Sequence, residues 1–292
     1  MDRNKYTGID LHIHSTASDG SVSPNNILSM AKKLRLKAIA ITDHDTLHGS
    51  KKAIAFGIPS DLQFVTGVEM STAGQRLFPG IRSLHILGYG IRLDDPDLNS
   101  TLHELQKARK GRNPRIVKRL QDLGFDLTYQ EVMNETGEHS QTGRPHIALV
   151  MKKKGFVSSI NEAFDKYLGE EKPAYVDKFR ADCAQAIRII INSGGIPVLA
   201  HPHVLLAQSQ NYRLVEELVL NLKEMGLKGI EAYYPKHAKY TACFIDIARR
   251  HNLIMTGGTD FHGSMKPDVQ MGFGNGNFNV PCELYDKLIS SL

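Results

Sequence analysis

Ile9-Asp10-Leu11-His12-Ile13-His14 alternates apolar and polar residues and runs into Ser15-Thr16-Ala17-Ser18-Asp19-Gly20. Alternation with period two is the pattern of a strand, and it places Asp10, His12 and His14 on one face. Two imidazoles aimed the same way, with the Asp19 carboxylate in the loop that follows, offer three ligands to a divalent cation such as Zn, Mn or Fe. Further apolar runs end in the same residue types: Thr42-Asp43-His44-Asp45, Glu69, His201-Pro202-His203 and Thr259-Asp260-Phe261-His262, while His85 belongs to another short run. His12, His14, Asp19, His44, Glu69, His85, His201, Asp260 and His262 are too many donors for one ion. Left without metal, such a cluster would bury repelling or unsatisfied groups. Two or three divalent ions (Mn, Fe or Zn) resolve this, and the lack of cysteine among the donors argues against a closed structural zinc site. A cationic centre of that kind attracts phosphate: a metal-bridging hydroxide is the nucleophile, and the ions clamp the phosphoryl oxygens.

The elements that must position these groups are βα units. Ser23-Pro24 reads as a cap with proline at the first helical position, and Ile27, Leu28, Met30, Ala31 and Leu34 recur at helical spacing. Strands are predicted over 37–41, 63–68, 84–89, 196–200, 229–233 and 253–258, with helices over 50–56, 183–192, 214–225 and about 237–250. Between about 98 and 181 no strand is expected, only helical segments broken by Pro114, Gly124, Gly137, Gly155 and Gly169. The count suggests a closed parallel α/β barrel with one helical insertion, its polar residues at the C-terminal ends of the strands, where barrel enzymes place their sites.

The 292 residues, 41% of them hydrophobic, suffice for one large domain or two ordinary ones. The N-terminus lacks the apolar core of a signal peptide and no apolar run has the length of a membrane span, so the cytoplasm is the expected compartment and no membrane is expected as partner. Cys183, Cys243 and Cys282 form no paired motif and are expected to be reduced thiols. The formal charge is +5, yet Lys107, Arg109, Lys110, Arg112, Arg115, Lys118 and Arg119 follow one another with no acid between them. That run suits an anionic partner or a solvated helix face, and no sequence-reading DNA motif accompanies it.

Asp10-Leu11-His12-Ile13-His14-Ser15, Ser18-Asp19-Gly20, Thr42-Asp43-His44-Asp45, Gly67-Val68-Glu69, Ala200-His201-Pro202 and Thr259-Asp260-Phe261-His262 together resemble the PHP (polymerase and histidinol phosphatase) superfamily. The resemblance implies a distorted seven-stranded TIM-like α/β barrel over 1–97 and 181–292, with 98–180 as an inserted helical substrate-binding subdomain. It also implies a trinuclear centre: His12, His14, Glu69 and Asp260 on one metal, Glu69, His85 and His201 on the second, and Asp19, His44 and His262 on the third. Asp10, deeper on the strand, would support the ligands without being one.

Thr142-Gly143-Arg144-Pro145-His146-Ile147-Ala148, Ala163-Phe164-Asp165-Lys166-Tyr167-Leu168 and Pro173-Ala174-Tyr175-Val176 look like the PHP enzymes that act on nucleoside 3',5'-bisphosphates and on the 5' ends of short RNA. Arg144 and His146 would then face an AMP-like nucleotide or short oligonucleotide, Arg144 forking onto a phosphate that is not cleaved; its alternative is a carboxylate within the insert. His237 would line the pocket. The leaving oxygen would take its proton from His203, His237 or a metal-bound water. The activity implied is removal of the 3'-phosphate from a nucleoside 3',5'-bisphosphate. The alternatives are a 5'-3' exonuclease on short RNA or DNA, a histidinol-phosphate phosphatase, and a non-catalytic module that binds nucleotide or a partner.

Overall fold

A computed structural model describes residues 7–74, 81, 83–135, 142–276 and 278–292, with the side chains of 207–209 and 236–238 outside that set. In chain order the elements are β1 (Gly8–Ile13), α1 (Pro24–Lys33), β2 (Leu36–Ile41), α2 (His48–Phe56), β3 (Gln63–Ala73), β4 (Ser83–Tyr89), α3 (Pro96–Asp122), α4 (Tyr129–Asn134), α5 (Arg144–Lys153) and α6 (Ile160–Ala163). They continue with β5 (Ala181–Asp182), α7 (Cys183–Asn192), β6 (Ile196–Leu199), α8 (His203–Ser209), α9 (Tyr212–Glu224), β7 (Gly229–Tyr233), α10 (Thr241–Arg250), β8 (Ile254–Gly257) and α11 (Glu283–Ile289). The strands form one sheet in the order β1-β2-β3-β4-β6-β7-β8, with β5 paired to β3. Past β8 the chain returns to β1: Phe261 pairs with Ile13, His14 N donates to Phe261 O across 2.9 Å, and Phe261 N donates to His12 O across 3.4 Å. These bonds bring the first and last strands together, as a barrel requires.

One strand runs against the expected direction. β4 is antiparallel to both β3 and β6, so His85 lies near the start of its strand and reaches the same mouth as the other strand ends. A sequence run shows no direction of travel, and the short connection from β3 to β4 is what an antiparallel pair permits.

Local signals account for the helix starts. Ser23 accepts a bond from Asn26 N with Pro24 at the first position of α1, Asp95 accepts from Leu98 N at α3, and Asp182 accepts from Ala184 N at α7. Pro114 does not break α3, which runs through it for 27 residues. The helix is held from outside: Leu98, Leu102 and Leu105 pack with Ile86 and Ile187 of the barrel, whereas Ile116 and Leu120 join a separate core with Ile147, Met151, Leu168 and Val176. Tertiary packing thus outweighs the lost hydrogen bond. Phe164–Leu168 forms a single π turn, closed by Gly169 N donating to Phe164 O. No helix among the described residues is long and apolar enough to cross a membrane.

Candidate metal centre

The barrel mouth gathers all nine side chains expected there. Glu69 is their hub, 1% exposed. Its Oε2 lies 3.4 Å from His12 Nε2, 3.1 Å from His14 Nε2 and 3.0 Å from His44 Nδ1, while Oε1 lies 2.7 Å from His85 Nδ1 and 2.9 Å from His201 Nε2. Asp260 Oδ1 sits 3.3 Å from His14 Nε2 and 3.4 Å from His262 Nδ1; Asp19 Oδ1 sits 3.4 Å from His262 Nε2 and 3.6 Å from His14 Nδ1. Three overlapping donor sets result: His14, Asp19, His44 and His262; His12, His14 and Asp260; and His44, Glu69 and His85.

These residues fit divalent cations. Among the described residues the buried Asp19 Oδ1, His44 Nδ1 and Glu69 Oε2 find no hydrogen-bond partner, although Glu69 Oε2 and His44 Nδ1 are only 3.0 Å apart. Ring nitrogens face each other at 3.2 Å in both the His12–His14 and the His85–His201 pair. Donors about 2.1 Å from a shared ion have about that mutual spacing. The electrostatics agree. Burial works against the imidazolium of His12, yet Glu231, Glu69 and Asp260 raise it well above its ordinary range, and His14 rises to about 9 against the same penalty. Burial also opposes charge on Glu69, Asp19 and Asp260, but the surrounding histidines hold all three well below the usual carboxylate range, with Lys266 the strongest aid to Asp260. Protons on His12 and His14 do here what a cation would do in their place.

A second layer of buried groups fixes the donors. Asp10 accepts from Thr259 N at 2.9 Å, Thr259 Oγ1 at 2.6 Å and Gly272 N at 2.8 Å, tying β1 to the loop that carries Asp260. Burial pushes Asp10 up to about 6. Asp43 accepts from Ser15 N, Ser15 Oγ and Ser18 Oγ and so shapes the Asp19 loop. Glu231, fully buried on β7, lies 2.9 Å from His12 Nδ1 and accepts from His201 N at 2.7 Å. Tyr234 and Lys266 both donate to Asp260 Oδ2, at 2.8 and 2.7 Å. Sequence reasoning missed Glu231, Tyr234 and Lys266; the signal for Glu231 was an acid within an otherwise apolar strand. Asp45, His201 and Asp260 adopt left-handed backbone angles, φ 55°, 31° and 54°, a strain that marks sites held by their surroundings.

The helical segment presents cations to this mouth. Gly143 opens α5 so close to Asp19 that a Cβ there would lie 3.8 Å from the Asp19 Cβ. Gly143 N donates to His146 Nδ1, which leaves His146 buried beside the site. Arg144 donates to Leu168 O, at the end of the π turn, and its guanidinium lies over the rings of Phe164 and Tyr175; among the described residues it makes no ion pair, so the carboxylate alternative is not met. Arg109 and Lys178 share Asp45, and Arg180 pairs with Asp177. Arg112 is 4% exposed, and among the described residues its one bonding partner is Asn113 Oδ1, at 3.4 Å. Burial, with Arg109, Arg144 and Arg180 nearby, pushes Arg112 down to about 8. Arg115, three residues on in the same basic run, is exposed. His203 is buried, its ring stacked 3.8 Å from that of Tyr234. The His237 side chain lies outside the described residues.

The PHP domain family matches residues 10–233. The chain is 31% identical over 255 residues to the 3',5'-nucleoside bisphosphate phosphatase of Chromobacterium violaceum, covering 87% of each. It is 29% identical to the phosphoribosyl 1,2-cyclic phosphate 1,2-diphosphodiesterase of Eggerthella lenta, over 90% of this chain and 97% of that protein. It is 32% identical to the 5'-3' exoribonuclease of Haemophilus influenzae, over 76% and 77%. A solved amidohydrolase structure from Chromobacterium violaceum, with sulfate bound, superposes with a TM-score of 0.82 at 29% identity, over 97% of this chain and 96% of that one. With the family match spanning most of its length and meeting the donor cluster at the barrel mouth, the chain belongs to the PHP family and is a metal-dependent phosphoesterase.

Proposed function

We propose that the protein removes the 3'-phosphate from nucleoside 3',5'-bisphosphates, releasing phosphate and a nucleoside 5'-monophosphate. The observation that carries this reading is the surplus of buried cations beside the donor cluster. Among the described residues Arg109, Arg112, Arg144, Lys178 and Arg180 meet, as bonded carboxylates, only Asp45 and Asp177, and the buried Nε atoms of Arg109 and Arg180 have no partner there. A guanidinium keeps its proton, so the cost of burying Arg112 becomes affinity for an anion. A phosphate that is bound and not cleaved meets that need, and a substrate with two phosphate groups a ribose apart spans both places. The relative named as a bisphosphate phosphatase supports the same reading.

The nine donors would hold two or three Mn, Fe or Zn ions; the two oxygens of Glu69 face different rings, His12, His14 and His44 on one side and His85 and His201 on the other. When bound, the ions supply Lewis acidity and the means to ionise water at neutral pH. The chain's own residues do the rest. Arg112, Arg144 and Lys178 bind the 5'-phosphate, and His146 stands beside Asp19 on the α5 side. Glu231 fixes the ring of His12, while Tyr234 and Lys266 hold Asp260 by one oxygen so that the other faces the cluster. Residues 98–180 thereby form the substrate-binding part, and the barrel holds the reacting phosphate.

Phosphate release from adenosine 3',5'-bisphosphate with added Mn, beside histidinol phosphate, a phosphoribosyl 1,2-cyclic phosphate and a 5'-phosphorylated short RNA, tests this. Release from the bisphosphate that falls steeply in Arg112→Met is the expected result. Turnover only of histidinol phosphate or of the cyclic compound, or indifference to Arg112, overturns the substrate assignment.

A further inference from the structure

At the end of the barrel away from the donor cluster lies a cavity of about 730 Å³. Lys228 and Ile254 on its wall stand at the starts of β7 and β8, parallel strands that lead to Tyr234 and Asp260 only at their far ends. The cavity is therefore separate from the metal centre. Four cations line it, Lys223, Lys228, Arg249 and Lys287, and no carboxylate does. Among the described residues none of the four meets a carboxylate, and the Lys223 ammonium alone is hydrogen-bonded, to His251 O at 2.8 Å.

Three of the four sit at helix ends. Lys223 lies in the last turn of α9, Arg249 in that of α10 and Lys287 in that of α11, where a cation ordinarily answers the helix dipole. That role leaves charge over. Each helix end carries about half a negative charge, so the three ends together offset less than two of the four cations. Lys228 belongs to no helix. Like charges gathered around one space repel, and an anion among them removes that cost.

The floor is apolar. Leu227 and Leu253 are buried and Met255 is half-buried, which gives a flat ring an apolar surface with a polarizable sulfur in it. A lone phosphate fills little of this volume, whereas cavities of roughly 300 to 1,000 Å³ hold ligands of nucleotide size. We infer that the cavity binds a nucleoside polyphosphate, with its ring against Leu253 and Met255 and its phosphates among the four cations. Binding there is independent of which ester the mouth accepts. Lys228 precedes Glu231, which holds His12 and His201, by three residues on the same stretch of chain, so a short structural line joins the cavity to the donors.

Calorimetric titration of the Mn-loaded protein with ADP, pyrophosphate and adenosine tests this in wild type, Lys228→Glu, Lys287→Glu and Arg112→Met, with the melting temperature and bound Mn checked for each. The expected result is an ADP site that weakens at least tenfold in either lysine variant and is unchanged in Arg112→Met. Pyrophosphate and adenosine should each bind that site at least tenfold more weakly than ADP. ADP binding that depends on Arg112 and ignores both lysines places the nucleotide at the mouth and overturns the inference, as does a dissociation constant weaker than about 1 mM. Pyrophosphate bound as tightly as ADP overturns the nucleotide assignment in favour of a simple anion.

Discussion

Lys178 donates to Asp45 across 3.2 Å and thereby ties the helical segment to the residue that follows His44. Every polar group of Asp45 is engaged: its N donates to Glu69 O, its O accepts from Gln106, and its carboxylate accepts from Ser71, Arg109 and Lys178. One residue therefore joins the strand carrying Glu69, the loop carrying His44 and the cations proposed to bind the 5'-phosphate.

Burial, reinforced by Arg109 and Arg112 and opposed by Asp45, pulls the Lys178 ammonium down to about 7. Above that pH Lys178 loses the charge that would hold a phosphate. We predict that kcat/KM for a 5'-phosphorylated substrate falls as pH rises through 7, approaching roughly tenfold per pH unit where this group alone titrates, and that Lys178→Met removes the limb. For stability the sign reverses. The folded-state value lies below the ordinary 10.5, so the unfolded chain binds more protons between the two values and this group's contribution grows with pH across that window. A pH–rate profile identical in wild type and Lys178→Met would refute the assignment.

Arg112→Met should separate stability from activity. Removing a buried guanidinium that meets no carboxylate among the described residues is expected to raise the melting temperature of the metal-free protein, with a gain of about 1 kcal/mol or more. The same change should lower kcat/KM for the bisphosphate by roughly 10- to 100-fold, the worth of charged hydrogen bonds to the anion. Thermal unfolding and steady-state kinetics on one preparation check both, and a destabilised Arg112→Met would contradict the idea that the cluster is strained until an anion arrives.

Glu231→Gln keeps the shape of the side chain and removes the charge that orients His12 and receives His201 N. Metal affinity should drop about 10- to 100-fold. Titration of the metal-free protein with Mn, followed by calorimetry, would show it, and unchanged affinity would mean that Glu231 serves only the barrel core.

Chelation should destabilise the fold. Ions binding only the native state contribute about 2.7 kcal/mol at a hundred times their dissociation constant. Unfolding in urea with saturating Mn and with chelator should differ by that order, and coincident curves would indicate that the carboxylates of Asp19, Glu69 and Asp260 are satisfied without metal.

His12 and His14 were legible because alternation on one strand is a local property, and the same holds for Asp10 beside them. The runs ending at His44, His201 and Asp260 were legible as strand ends, whereas Glu69 lies inside β3, which runs on to Ala73 because it pairs with the antiparallel β4 beyond Thr66. What escaped was set by distant partners. Nothing near His85 in sequence says that β4 lies antiparallel, and nothing near Glu231 says that His12 lies beside it. Pro114 looked like a break because packing by Leu105 and Ile116 on either side of it belongs to the tertiary fold. Arg144 stood out through its motif, whereas Arg112, in a run of similar residues, became distinctive only through its burial.

The pairing of Ile13 with Phe261 has a consequence for how the protein is made. Phe261 sits between Asp260 and His262, so the sheet's closing bond and two of the donors arrive together, almost 250 residues after His12 and His14. The long intervening chain must be ordered before these groups meet, a step that carries a large entropic barrier. During synthesis the early histidines would wait for almost 250 further residues before their partners emerge. The full donor set is thus a property the chain acquires only after Asp260 and His262 have been made, and the pairing of Ile13 with Phe261 becomes the event that opens the site to loading.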